Sequence, residues 1–368
     1  MAAQDGFVKR LRGIADDDGG FIVDGFNFVD PETKHYFLTH FHSDHTTGLH
    51  ASFDIGTIYC SNVTAELVVS VTGVKKKVVR ALEIGETTII QGVEVTPLNA
   101  NHCPGAVMFH FRDQRSGRVV LHTGDFRAST AVCNDPRMHE LLRQSGPVDL
   151  LYLDTTYCKP GYTFPDQAEV CAAMARIVRE ELEREPKTLF VVGSYSIGKE
   201  NAIEAVARAA SSCAFVSFDR ARSLRLSGRW DDSLYTESDS DRTLVHVSSL
   251  LGGDNWHDAA KKTLKDLARF NAIVGFRPTG ASHRSGNGHI CRQLRLPVLA
   301  LPLQHGRSLF FVVQAGPFPR SRPPKGTRPG RRTAGKPGCT PYPIASTQAT
   351  PNCAPSCTQC GHGKSSPL

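Results

Sequence analysis

Between residues 34 and 125, short apolar runs alternate with polar or glycine-containing turns. "KHYFLTH" (34–40), "ETTIIQ" (86–91), "VEVTPLNA" (93–100), "AVMFHFR" (106–112) and "RVVLHTGD" (118–125) each have the length and β-branched or aromatic content of a strand. One segment breaks the rhythm. "SNVTAELVVSVTGV" (61–74) opens on cap residues and repeats apolar positions at helical spacing, which predicts a helix. "VDLLYLDTTYC" (148–158) predicts a further buried strand. Beyond it, "PDQAEVCAAMARIVREELEREP" (165–186) has proline and acids in its first turn and reads as a long helix. Strand "TLFVVGSYS" (188–196), helix "KENAIEAVARAASS" (199–212), strands "CAFVSFD" (213–219) and "TLVHVSSL" (243–250), helix "NWHDAAKKTLKDLARF" (255–270) and strand "NAIVGFRPTG" (271–280) follow. Strands alternating with helices predict an α/β segment. Past about Gly286 the periodicity fades.

Composition adds a division that the pattern only hints at. The chain has 368 residues, 40% hydrophobic, enough for two domains with buried cores. Its net charge of +7 is unevenly placed. Residues 1–266 hold 29 of the 43 basic residues and all 36 acidic ones, for −7, whereas 267–368 carry +14. The basic end, rich in Pro, Gly and Arg, reads as disorder or as an arm for nucleic acid. It equally fits GC-rich sequence read in another frame or through an intron from about Gly286, and the domain reading treats 286–368 as an atypical tail. No apolar run approaches the roughly 20 residues of a membrane span. The first twenty residues have no secretory apolar segment, so a reducing compartment is expected and most of the eleven cysteines read as free thiols. Within the tail, Cys353, Cys357, Cys360 and His362 offer four soft donors in ten residues, more tightly spaced than an ordinary zinc finger.

The densest chemistry lies in "THFHSDH", where His40, His42, Asp44 and His45 follow directly on a strand. Four donors in six residues exceed what one ion usually takes from a loop. They suggest two ions, one drawing mainly on His40 and His42, the other on Asp44 and His45. Completing such a site needs ligands from elsewhere, including one anion able to bridge both ions, and two strand ends offer candidates: His102 in "NANHCPGAV" and Asp125 in "VVLHTGDFR". "VVGSYSIGKENAIEAV" places a strand, a polar glycine-flanked loop and a helix start in succession. There, free backbone N–H groups, the Ser194, Tyr195 and Ser196 hydroxyls and the Lys199 ammonium can meet a phosphate.

In this order and spacing, "HFHSDH", "NANHCPGAV", "HTGDFR", "LYLDTTYC" and "GSYSIGKE" resemble the metallo-β-lactamase/β-CASP nucleases of DNA cross-link repair, nearest their 5′ exonuclease branch, over about residues 20–282. The resemblance implies an N-terminal extension (1–19), a metallo-β-lactamase αββα sandwich (20–158) and an inserted β-CASP α/β domain (159–285). It implies that His40, His42, His102 and Asp125 hold one ion, while Asp44, His45 and a bridging Asp125 hold the second. Zinc is the implied metal, with Mg or Mn admissible at the second position. Asp24 in "FIVDGF" and Asp154 in "LDTTYC" would orient ligand imidazoles, and Ser194, Tyr195, Ser196 and Lys199 would bind a DNA phosphate. Asp44 or Asp125 would also orient the attacking water. The implied activity is metal-dependent 5′-to-3′ hydrolysis of DNA, single-stranded or with a 5′-phosphate end, in cross-link and double-strand break repair in the nucleus. An RNA-processing endonuclease of the same superfamily and a catalytically defective nucleic-acid-binding paralogue are the alternatives. The family's histidine and valine motifs after "FRPTG" do not appear here, and with them the strands that close its first domain.

Overall fold

A computed structural model of the chain describes residues 10–15, 19–27, 31–158, 164–248 and 269–278, with the backbone of Phe310–Gln314. The first sheet is built from β1 (Phe21–Val23), β2 (His35–Phe37), β3 (Thr57–Ser61) and, after helix α1 (Asn62–Leu67), β4 (Val79–Leu82), in the order β1-β2-β3-β4 and all parallel. Ser61 starts α1 as expected of a cap, its hydroxyl accepting the Thr64 amide at 3.3 Å. The expected single helix over 61–74 is shorter, because at Val68–Thr72 the chain widens into a π turn that ends on left-handed Gly73.

A second sheet follows from β5 (Thr88–Ile90), β6 (Val93–Asn99), β7 (Val107–Asp113), β8 (Val119–His122) and, after α2 (Thr130–Cys133) and α3 (Pro136–Ser145), β9 (Leu150–Tyr152). Strands β5 to β8 pair antiparallel and β8 with β9 parallel. Pro97 is tolerated inside β6 because it lies past the residues that pair with short β5, where a missing N–H costs no ladder bond.

Strand alternation sorts the side chains into layers. Phe21, Val23, Phe37, Leu82, Val93, Val95, Phe109, Phe111 and Val120 form one buried cluster between the two sheets. Each such residue contributes about 1.5–3 kcal/mol by leaving water. The opposite face of the first sheet (Ile22, Tyr36, Ile58, Cys60) packs on Ala65 and Leu67 of α1, and the outer face of the second (Leu98, Met108) packs on Val132, Met138 and Leu141 of α2 and α3. Helix, sheet, sheet, helix is the αββα order expected from the sequence. The strand read as buried at 148–158 is instead a three-residue sheet edge, with Leu151 48% exposed, because only its inward face has a partner layer.

The α/β segment comprises α4 (Gln167–Arg184), β10 (Thr188–Gly193), α5 (Glu200–Ala209), β11 (Ala214–Phe215), α6 (Phe218–Leu226), β12 (Tyr235–Thr236), β13 (Val245–Ser248), β14 (Ala272–Arg277) and β15 (Phe310–Gln314). Its sheet is parallel in the order β12-β11-β13-β10-β14-β15, over a core that includes Val178, Phe190, Val192, Ile203, Val206 and Phe276. From β10 the chain moves outward on one side, and from β13 it crosses to the other. The loop after β10 therefore stands at a topological switch point, where parallel sheets open a crevice at their carboxyl ends. β15 falls within the segment read as a tail and extends this sheet. The helix expected at 255–270 lies mostly outside the described residues, and Cys353, Cys357, Cys360 and His362 lie wholly outside them. The six cysteines that are described are free thiols.

Candidate metal centre and phosphate loop

The donors converge because three chain segments end at one place. After β2 the backbone runs through buried Thr39 and His40 into a turn in which the His45 amide donates to the His42 carbonyl at 3.1 Å. His102 arrives from the loop joining β6 to β7, and Asp125 follows β8 through Gly124. Gly124 has φ +53°, and a Cβ there would lie 2.8 Å from Thr39 Cβ. Only a bare backbone lets the Asp125 segment pass this close to Thr39.

Two donor sets result. His40 Nε2 and His42 Nδ1 are 3.0 Å apart, and His102 Nε2 is 3.1 Å from the same His42 nitrogen. Asp125 Oδ2 closes the set at 4.0 Å from His40 Nε2 and 3.7 Å from His102 Nε2. A tetrahedral ion with bonds of about 2.0–2.1 Å requires edges of about 3.3 Å, so the spacing fits. The other Asp125 oxygen, Oδ1, lies 3.4 Å from His45 Nε2, which is 3.6 Å from Asp44 Oδ2. One carboxylate thus presents an oxygen to each set. His40 also comes within reach of His45 and Asp125, so the sets adjoin.

Hydrogen bonds fix which nitrogens carry lone pairs. Buried Asp24 accepts the Thr39 amide at 2.8 Å, the Thr39 hydroxyl at 2.7 Å and His45 Nδ1–H at 2.7 Å. With its proton given to Asp24, the Thr39 oxygen can only accept from His40 Nδ1–H, at 3.0 Å. His42 Nε2 faces the Ile197 carbonyl at 3.4 Å, an acceptor only. In His40 and His42 the nitrogen aimed at the donor set is consequently the unprotonated one, the tautomer a metal ligand needs, while the Asp24 bond holds a proton on His45 Nδ1 and leaves Nε2 as the nitrogen that would lose its proton to an ion. Lone pairs facing one another at about 3 Å repel unless a cation lies among them, so the donor chemistry fits divalent ions.

Charge distribution agrees for His40, His42 and His102. Burial, with His45, His42 and His102 nearby, pushes His40 down to about 3. Burial and then His42 push His102 down to about 4. Burial also lowers His42. His45 behaves oppositely: burial disfavours its charge, but bonds to Asp125 and Asp24 raise it to about 10. Asp125 is held low chiefly by its His45 bond. Burial alone would raise Asp24, yet the His45 bond and charge hold it low.

Asp24 and Asp154 part company. Asp154 Oδ1 accepts the Thr156 amide at 2.9 Å and its own amide donates to Thr123 Oγ at 3.0 Å, so it braces its loop and belongs to neither donor set.

Ser194, Tyr195, Ser196 and Lys199 lie on the switch-point loop. Tyr195 (69% exposed) and Ser196 face solvent, and the Lys199 ammonium stands 4.9 Å from the Tyr195 ring centroid. Lys199 at the start of α5 makes no capping bond, and since the Ala202 and Ile203 amides donate to its carbonyl at 3.1 Å, the Glu200 and Asn201 amides are the ones an anion could meet. Burial, Arg220 and Arg277 together lower Lys199, which marks a concentration of positive charge at the ends of β10 and β14. Ser194 is spent internally: its hydroxyl donates to the Gly198 carbonyl at 3.0 Å and accepts from Arg220 at 2.9 Å. Arg220, unremarked in the sequence, is buried beneath the loop. Its one sequence signal is an arginine three residues past the Ser217 cap, and that position reads equally well as a solvated helix face.

No protein-family model matches the chain. It is 41% identical over 278 residues to the DNA cross-link repair protein SNM1 of Arabidopsis thaliana, covering 74% of this chain and 54% of the relative. It is 38% identical over 278 residues to the DNA cross-link repair 1A protein of Homo sapiens, covering 75% and 25%. It is 33% identical over 227 residues to the 5′ exonuclease Apollo of Danio rerio, covering 60% and 38%. The chain spans about half or less of the length of these relatives.

Proposed function

The chain belongs to the family of DNA cross-link repair proteins, and from that membership we propose that it is a metal-dependent phosphodiesterase that degrades DNA from 5′ ends during interstrand cross-link and double-strand break repair in the nucleus. The observation that carries the reading is the division of Asp125 between two histidine-containing donor sets beside a cationic loop. His40, His42, His102 and Asp125 would hold one divalent ion, and His45, Asp44 and Asp125 the other, with zinc favoured by the imidazoles and a harder ion admissible where carboxylates dominate.

A divalent ion bound there supplies Lewis acidity to a phosphoryl oxygen and acidity to a bound water. The chain's own groups do the rest. Lys199, Ser196, Tyr195 and the first amides of α5 receive the phosphate and keep it beside the donor sets. Asp44, 76% exposed on its side chain, has a carboxylate open to the cleft and accepts the proton of the attacking water. Asp24 keeps His45 in its ligating tautomer. Contacts through phosphate predict little base preference.

Degradation of 5′-phosphorylated single-stranded DNA, the matching 5′-hydroxyl strand and RNA by the full chain tests this, with Asp44→Ala and Asp125→Ala as controls. The reading expects DNA hydrolysis that prefers the 5′-phosphate and is lost in both variants. RNA cleaved faster than DNA would replace it with the RNA-processing alternative, and activity that survives both substitutions would reject the site.

A further inference from the structure

The switch-point loop faces two ways. Outward it carries Tyr195 and Ser196, with the half-buried Lys199 ammonium beside the Tyr195 ring and 3.4 Å from the Gly193 carbonyl. Inward it sends Ile197, 2% exposed, into the apolar cluster formed by Ile22, Phe26, Tyr36 and Leu38 of the first sheet layer. That insertion brings the Ile197 carbonyl to His42 Nε2. Next to it, Gly198 has φ +97°, and a Cβ at that position would lie 3.5 Å from His42 Nε2. A loop of the α/β segment is therefore in contact with the ring that gives its other nitrogen to the first donor set.

Something must hold so irregular a loop in place, and it is a buried ion pair. Arg220 reaches up from α6 and donates to Ser194 Oγ at 2.9 Å, to the Tyr195 carbonyl and to the Gly198 carbonyl at 2.8 Å. It meets Glu200 Oε1 at 3.2 Å, and the same oxygen accepts the Gly198 amide at 2.7 Å. Both side chains are at most 6% exposed. The guanidinium fork thus reads the loop's carbonyls on one side while Glu200 takes its amide on the other. A lysine, a point charge with no fork, could not hold all of these at once.

We infer that Arg220 and Glu200 are positioning residues for the first metal site, acting through the Ile197 carbonyl to fix the tautomer and tilt of His42. The inference deepens the metal-site reading and rests on it. It also couples the two faces of the loop, because a phosphate bound at Lys199 and an ion bound at His42 select the same loop conformation.

The test is titration of the full chain with Co2+ alone, following its visible absorption and competition with a chromophoric chelator. Arg220→Met is expected to weaken the first site by about 10- to 100-fold, the usual effect of losing a group that orients a ligand imidazole, and to alter the absorption band. Arg220→Lys should fall between Arg220→Met and the parent. Ser194→Ala, which removes only the hydroxyl bridging Arg220 and Gly198, should move affinity in the same direction by less, and it serves if Arg220→Met fails to fold. Val178→Ala, a cavity in the same α/β core but away from the loop, should lower the melting temperature and leave Co2+ affinity unchanged. In a His42→Ala background Arg220→Met should cost no further affinity, since its route to the metal is gone. If the parent binds Co2+ while Arg220→Met and Ser194→Ala bind it equally well, or Val178→Ala weakens it as much as they do, the inference is overturned and the metal site stands. A parent chain that takes up no Co2+ overturns both.

Discussion

Asp24→Asn is the sharpest perturbation of the donor network because it changes charge and proton count with little else. Asp24 has φ +52°, in the left-handed region, which asparagine tolerates far better than alanine, so the backbone is spared. The amide oxygen can still accept the Thr39 amide. Its NH2 group, however, would face the Thr39 hydroxyl and His45 Nδ1, both of which donate in the parent. His45 must then turn its lone pair to Nδ1 and carry its proton on Nε2, the nitrogen that faces Asp125 and Asp44. Loss of one to two bonds to a buried carboxylate, at about 1.5–3 kcal/mol each, puts the destabilisation at roughly 3 kcal/mol. The wrong tautomer should weaken the second site by about 10- to 100-fold, equal to about 1.4–2.7 kcal/mol. Urea unfolding reads the first quantity and zinc competition with a chelator the second. An Asp24→Asn protein that keeps parent affinity at both sites would refute the tautomer argument outright.

Other consequences follow from single residues. Gly124→Ala adds about 1–2 kcal/mol of left-handed strain and a Cβ 2.8 Å from Thr39 Cβ, so thermal unfolding should come earlier and metal content should fall as Asp125 is displaced. His110 is 1% exposed. Its Nε2 bonds Ser145 at 3.0 Å, its Nδ1 has no partner, and burial pushes it down to about 4. The unfolded chain takes up that proton near the ordinary value of 6.5. Stability therefore declines as pH falls from about 6.5 to about 4, by up to about 3 kcal/mol, and His110→Phe should flatten denaturant-unfolding curves measured across that window. If the frame departs near Gly286, sequencing the transcript across that point will show a junction or shift there, whereas a continuous match to the tail would remove the idea.

The donor sets were legible because most of their members are contiguous in "HFHSDH", and strand ends next to glycine or proline point to His102 and Asp125. The sandwich was legible where alternation is strong, as in β6 and β7, whose inward valines and phenylalanines build the shared core. α3 escaped notice although Asp135 caps it and Pro136 opens it, because none of its residues is fully buried and its apolar stripe is thin. Ser194, expected to meet the phosphate, has its hydroxyl bonded to the Gly198 carbonyl and to Arg220. A hydroxyl in a phosphate-type loop looks available until the partner that consumes it is known, and Arg220 lies twenty-six residues away in sequence. Asp154 illustrates the same limit, since a carboxylate after a strand can serve a metal ligand or merely tie its own turn, and only the fold distinguishes them.

The division of one carboxylate between two ions is the centre of the account, and metal stoichiometry by mass spectrometry measures it most directly. The parent should carry two ions per chain, His42→Ala and His45→Ala one each, and Asp125→Ala none, with DNA hydrolysis lost in all three variants. An Asp125→Ala protein that retains both ions and still degrades DNA would contradict it.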